Sequence, residues 1–325
     1  MRRLTILVAV LAAIYSGYWF VGSRTLANGI ASAQAEIRTS GWDIAYADLS
    51  TIGFPSRFDT TVTAPTVAPP DGMWMWQAPF LQIFALSYAP NEVIAVFPDE
   101  QTFRMGRQTI AIQSQDLRAS AAVKASTALA FRDATVEMDA ATATSDAGWA
   151  IALNSALIAM RGQEDTENAY DVYADIDELR LPQDAIARID PDGVLTSTID
   201  NLTIHGAVQF DQPLDRNTAE PRITGIALSS LNLQWGGLTI NGDGAITVDE
   251  AGVPEGRVTL KTRQWREMIE LLVNAGLIRP GMAGMVTNTA QSLAASDGTL
   301  DLPVSFQSGF MSVGPIPLGP APRLP

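Results

Sequence analysis

Reactive side chains are scarce in this chain. It has no cysteine and one histidine, His205. Without cysteine there are no disulfides, thiolate metal sites or thiol nucleophiles. A zinc site, a haem ligand pair or a Ser-His-Asp triad would each have to use the same histidine. His205 lies in "NLTIHGAVQF", on the opposite parity from Leu202 and Ile204. An extended strand therefore turns it to the polar face. We expect a surface or hydrogen-bonded histidine, not a catalytic one.

The densest carboxylates are Asp171, Asp175, Asp177 and Glu178. A calcium site needs about six to eight oxygens converging from a loop. In a strand, Asp171, Tyr173, Asp175 and Asp177 share one face, while Val172, Ala174 and Ile176 share the other. A solvated face accounts for that spacing. "NGDGAITVDE", from Asn241, superficially has the look of a calcium loop. It lacks an acid at the fifth position, has glycine at the fourth and not the sixth, and has no flanking helices. A hairpin turn at Asn241 to Gly244 is the expectation. There is no phosphate loop and no GxSxG, so we expect neither an enzyme nor a cofactor or metal.

The elements that carry these residues begin with an apolar run. "MRR" precedes twenty uncharged residues, Leu4 to Ser23. As a helix that run is about 30 Å long, the thickness of a hydrocarbon core. Arg2 and Arg3 would stay in the cytoplasm and the bulk of the chain would lie in the periplasm. Tyr15, Tyr18 and Trp19 cluster towards the outer end. A cleaved signal peptide is the rival reading. The nearby Ala31-Ser32-Ala33 lies well past the apolar run, so an uncleaved anchor over 1–23 is expected. With 35 acids against 21 bases the net charge is -14. Nucleic acid and anionic head groups are both repelled, so attachment to the inner membrane must be hydrophobic.

A short amphipathic helix is expected over 24–40, with Leu26, Ile30, Ala33 and Ile37 on one stripe and Gly41 ending it. A β-rich domain over 41–325 follows. The stretch up to Pro98 alternates in the manner of strands, broken by Gly53, Pro55, Pro79 and Pro90. Residues 108–181 suggest an antiparallel meander, although "RASAAVKASTALAF" is also compatible with helix. Further strands follow from Leu202, with a longer turn at "DEAGVPEG". Two amphipathic helices are expected within 264–296, the first carrying Trp265, Met268, Ile269, Leu272 and Val273. Residues 298–325 should form a closing hairpin. Leu302, Val304 and Phe306 then share a face, and Pro315, Pro317, Pro320, Pro322 and Pro325 stop further ladder pairing.

The one suggestive side-chain group is Trp74, Trp76, Phe80 and Phe84. All share even parity, though Pro79 interrupts the register. Such a stripe is commonly core; its sharper reading is the wall of a concave apolar groove holding acyl chains.

The fold expected is mainly β with some α. It is a large curved antiparallel sheet, β-groove or β-taco like, with two C-terminal helices and an N-terminal transmembrane helix. "GFPSRF" (53–58), "LQWGGLTINGDGAITVDEAGVPEGRVTL" (233–260) and "GTLDLPVSFQSGFMSVGPIPLGPAPRLP" (298–325) resemble the alphaproteobacterial domain-of-unknown-function family 2125. That resemblance runs over nearly the whole chain and carries no functional residues. The closing segment is also distantly similar to AsmA-like envelope proteins, which implies a β-sheet groove and phospholipid movement between membranes. The expected function is a tethered periplasmic protein handling lipid in an apolar groove, with phospholipid and other envelope proteins as partners. The alternative is a structural or protein-interaction module of the envelope with no ligand groove.

Overall fold

The computed structural model describes residues 1–325 except Asp192, Val194, Leu277, Pro315 and Pro325, and for Leu26, Ala27, Ala33 and Glu36 the backbone alone. Of the expected helical stripe and proline run, the Leu26 and Ala33 side chains and Pro315 and Pro325 therefore lie outside the described residues. The chain divides into two units. One is Met1–Ala125 with Val136–Gly148; the other is Ser126–Thr135 with Trp149–Pro325.

The first unit opens with α1 (Arg2–Thr39), one unbroken helix. The anchor expected over 1–23 and the amphipathic helix expected over 24–40 run on as one helix. Gly41, with φ of 88°, ends the run. Part of α1 is long and apolar enough to cross a membrane. Leu4, Leu7, Val8, Leu11 and Ile14 are all exposed on it.

Ten strands follow: β1 (Asp43–Ala45), β2 (Asp48–Ile52), β3 (Arg57–Thr63), β4 (Thr66–Ala68), β5 (Trp74–Gln77), β6 (Phe80–Leu86), β7 (Ala89–Val96), β8 (Glu100–Met105), β9 (Gln108–Gln113) and β10 (Asp116–Val123). β11 (Phe131–Ser145) begins in the second unit and ends in the first. The pairings give two antiparallel ribbons. One runs β2-β3-β6-β7-β10. The other runs β1-β4-β5-β8-β9-β11. "RASAAVKASTALAF" is strand at both ends and not helix, because β10 and β11 find partners there.

The second unit is a meander. β12 (Ala150–Gly162), β13 (Ala169–Arg180), β14 (Thr198–Phe210), β15 (Ile223–Trp235), β16 (Leu238–Val248), β17 (Pro254–Thr262), β18 (Leu300–Gln307), β19 (Phe310–Val313) and β20 (Ile316–Pro320) pair antiparallel, each with the next. α2 (Gln183–Ile189), α3 (Trp265–Asn274) and α4 (Ala283–Leu293) complete it. Trp265, Met268, Ile269, Val286 and Ala290 bury the helices against Leu238, Leu300 and Leu302. The mainly β fold with a large antiparallel sheet and two C-terminal helices is therefore as expected.

Three local expectations fail for physical reasons. "NGDG" is not a turn: β16 runs straight through it, with Asn241 opposite Lys261 and Gly244 opposite Val258. The reversal comes earlier, at Gly236-Gly237, between β15 and β16. The glycines of "NGDG" serve close strand approach instead. A Cβ on Gly244, where φ is 151°, would lie 2.3 Å from the Arg257 carbonyl oxygen. The terminal prolines do not end pairing at once either. β20, containing Pro317 and Pro320, adds to β19 with a register shift beside Ser312. α2 had no expected counterpart; it starts after Pro182 and buries only Ile186.

Candidate functional site

The acid-rich strand β13 has the face expected of it. Asn201 donates to Asp175 at 3.0 Å and to Asp177 at 2.8 Å, and Gln163 donates to Asp171 at 2.7 Å. His205 is exposed and lies opposite Tyr173, its ring edge-on at 6.3 Å between centroids. Tyr173 has its pKa raised, first by desolvation and then by the charge of Asp175. A shallow concavity of about 340 Å³ lies here, with Asp133, Arg161 and Asp171 on its rim. Arg161 pairs with Asp171 at 3.5 Å, and no cluster able to hold a metal occurs among the described residues.

A larger concavity, about 820 Å³, lies under α1. Its floor is three neighbouring strands. Phe58 and Thr60 of β3 stand opposite Ala85 and Ile83 of β6, and Ala85 stands opposite Val93 of β7. Strand alternation puts all five on one face. The roof is a face of α1 in which Gly17, Val21, Thr25 and Gly29 recur every four residues, with Tyr18 and Gly22 beside them.

Glycine in a helix costs about 1 kcal/mol relative to alanine. Here the glycines create room. A Cβ on Gly17 or Gly29 would meet nothing within 4 Å, so both face open space. Gly22 does the opposite: a Cβ there would lie 2.8 Å from the Phe58 ring, so helix and strand touch at that point.

α1 is tied down on either side of this gap. Trp19, 6% exposed, donates its indole N–H to the Arg57 carbonyl at 2.7 Å. Its ring packs edge-on against Phe54 and tilted against Phe58, at 5.5 and 5.9 Å between centroids. Tyr18 donates its hydroxyl to the Ser87 carbonyl at 2.6 Å. Fifteen residues on, about 22 Å along the helix, Gln34 donates to the Ile44 carbonyl at 2.7 Å. The helix is held at both places and spans the groove between them.

The groove's chemistry is uniform. The hydroxyls in its wall are already engaged. Thr25 donates to the Val21 carbonyl at 2.9 Å, Thr60 pairs with Thr51 at 3.0 Å, and Tyr18 is bound to Ser87. Among the described residues no charged side chain lines it. Its chemistry suits an apolar chain and offers little to a polar head.

The four aromatics singled out from the sequence lie elsewhere. Trp74 and Trp76 are on β5, in the other ribbon from Phe80 and Phe84 on β6. Trp74 stacks on Phe103 at 5.5 Å and meets Trp42 edge-on. Trp76 meets Phe97 edge-on and donates to the Gln101 side chain at 2.9 Å. Phe84 carries the Arg57 guanidinium over its ring at 5.4 Å. Phe80 stands opposite Thr63. Alternation turns Phe80 and Phe84 away from the β6 residues that floor the groove. The signal that would have found the groove was Gly17, Gly22 and Gly29 inside one helix.

No curated protein and no solved structure matches the chain. A family model matches residues 19–322, nearly the whole molecule. The chain belongs to the family described as uncharacterized protein conserved in bacteria (DUF2125).

Proposed function

We propose that the protein is a membrane-tethered, non-enzymatic component of the cell envelope that holds an acyl chain of phospholipid in the groove beneath α1. On this reading Leu4 to Ser23 cross the inner membrane, Arg2 and Arg3 remain in the cytoplasm, and the β-rich units lie in the periplasm. The exposed apolar face of α1 supports the tether. One observation carries the lipid reading: the groove is roofed by glycines that leave space, and its wall hydroxyls are already hydrogen-bonded. The sequence chemistry supports a non-enzymatic role, since the single histidine is an exposed strand residue.

The test is mass spectrometry of the detergent-extracted full chain under native conditions. The wild type should retain phospholipid. Gly29→Leu, which projects a side chain into open space, should lose it while keeping an unfolding midpoint at least as high as the wild type. A wild type without lipid, or a Gly29→Leu variant with as much lipid as wild type, would contradict the proposal. The former would favour an interaction module.

A further inference from the structure

Ser87 is 0% exposed although it sits in the turn between β6 and β7. Its neighbours in that turn, Leu86 and Tyr88, are exposed, Tyr88 by 71%. The facing turn between β2 and β3 repeats the pattern, with Ile52 and Phe54 exposed by 68% and 50%. No charged residue occurs in 51–56 or 86–91, and Arg57, next to the first turn, is ion-paired with Asp59 at 2.9 Å. Four large apolar side chains in two adjacent turns are an unusual display for a surface in water.

Several polar groups of these turns have internal partners. The Ser87 N–H donates to the Ser56 carbonyl at 2.9 Å, and the Arg57 N–H to the Gly53 carbonyl at 3.0 Å. The helix supplies the rest: Tyr18 to the Ser87 carbonyl, Tyr15 with the Ser87 hydroxyl at 3.0 Å, and Trp19 to the Arg57 carbonyl. Pro55 has no N–H to satisfy. Irregular backbone is tolerated at membrane depth only when its polar groups are paired in this way.

The helix also fixes the depth. A hydrocarbon core takes about twenty helical residues, which counted from Leu4 ends near Ser23. Tyr15 and Trp19 lie eight and four residues before Ser23, about 12 and 6 Å back into the layer. Turns bonded to those residues reach the same level. We infer that the β2–β3 and β6–β7 turns are immersed in the outer leaflet of the bilayer that α1 crosses, with Ile52, Phe54, Leu86 and Tyr88 in contact with lipid. The low end of the groove, at Gly17 and Tyr18, then opens into the leaflet and not into water. This inference rests on the proposed crossing of the membrane by α1.

The chain has no cysteine, so single-cysteine variants of the full protein can be labelled with an environment-sensitive fluorophore. In phosphatidylcholine proteoliposomes, labels at Ile52→Cys and Tyr88→Cys should be blue-shifted. Lipid-borne quenchers should quench them and aqueous iodide should not. A label at Met73→Cys, exposed in the turn before β5, should show the reverse. A label at Val10→Cys reports the crossing itself. If Val10 is lipid-exposed but 52 and 88 respond to iodide as 73 does, the immersion is overturned and the tether stands. If Val10 responds to iodide, the tether fails and the immersion fails with it.

Discussion

Ser87 and Trp19 show how much of this molecule depends on single polar atoms in apolar surroundings. The Ser87 hydroxyl meets Tyr15 and lies 3.4 Å from the Pro55 carbonyl in a fully buried position. Ser87→Ala should cost about 0.5–1.5 kcal/mol, the net worth of one hydrogen bond, because its partner Tyr15 is itself exposed. It would appear as a lower urea midpoint for the detergent-solubilised chain; an unchanged midpoint would mean the contact is idle. In the second unit Asp211 accepts the Arg222 backbone N–H at 2.9 Å and its Nε at 3.0 Å. The backbone bond holds this carboxyl below its ordinary pKa; desolvation opposes it, and the guanidinium's hydrogen bond and charge add to the lowering. A depressed folded value stabilises above the unfolded pKa and is lost as pH falls through the folded one. Asp211→Asn should therefore flatten the acid limb of unfolding midpoint against pH, and an acid limb as steep as wild type would contradict this. Residue-scale roles were partly legible: parity placed His205 and the β13 acids on a polar face. Nothing in a list of letters could pair Tyr18 with Ser87, sixty-nine positions away.

At the scale of elements, periodicity located α3, α4 and most strands, because each buries one face and repeats accordingly. Ile269, 2% exposed on α3, illustrates the energetic weight of that face. Ile269→Ala should lower stability by about 2–5 kcal/mol, read from the denaturant midpoint of the second unit's transition. Glycine was the misleading letter. In "NGDG" it signals a turn, yet β16 continues through because neighbouring backbone lies too close for a side chain. Gly244→Ala should destabilise by at least about 1 kcal/mol despite the ordinary preference of strands for alanine over glycine. A neutral or stabilising Gly244→Ala would show that the close approach relaxes freely. In α1 the same letter leaves a gap. Both uses depend on what lies across from the glycine, which is a tertiary fact. The length of α1 was also under-read. A change from apolar to amphipathic composition at Arg24 looks like a boundary, but helical backbone is indifferent to that change.

For the molecule as a whole, strand alternation and the N-terminal run were enough to anticipate a mainly β protein with one membrane-competent helix. Trp74, Trp76, Phe80 and Phe84 do not line the concavity under α1, and parity across Pro79 joins residues that fold into different ribbons. The central claim is that an acyl chain lies between α1 and the β3, β6 and β7 strands. The direct measurement is photo-crosslinking in vesicles containing a phosphatidylcholine with a diazirine near the end of one acyl chain. Label is expected on Val21, Thr25 and Ile30 of α1 and on Ile83, Ala85 and Val93, and its loss in Gly29→Leu. Label confined to residues 4–16, where any membrane-crossing helix meets surrounding lipid, would contradict it.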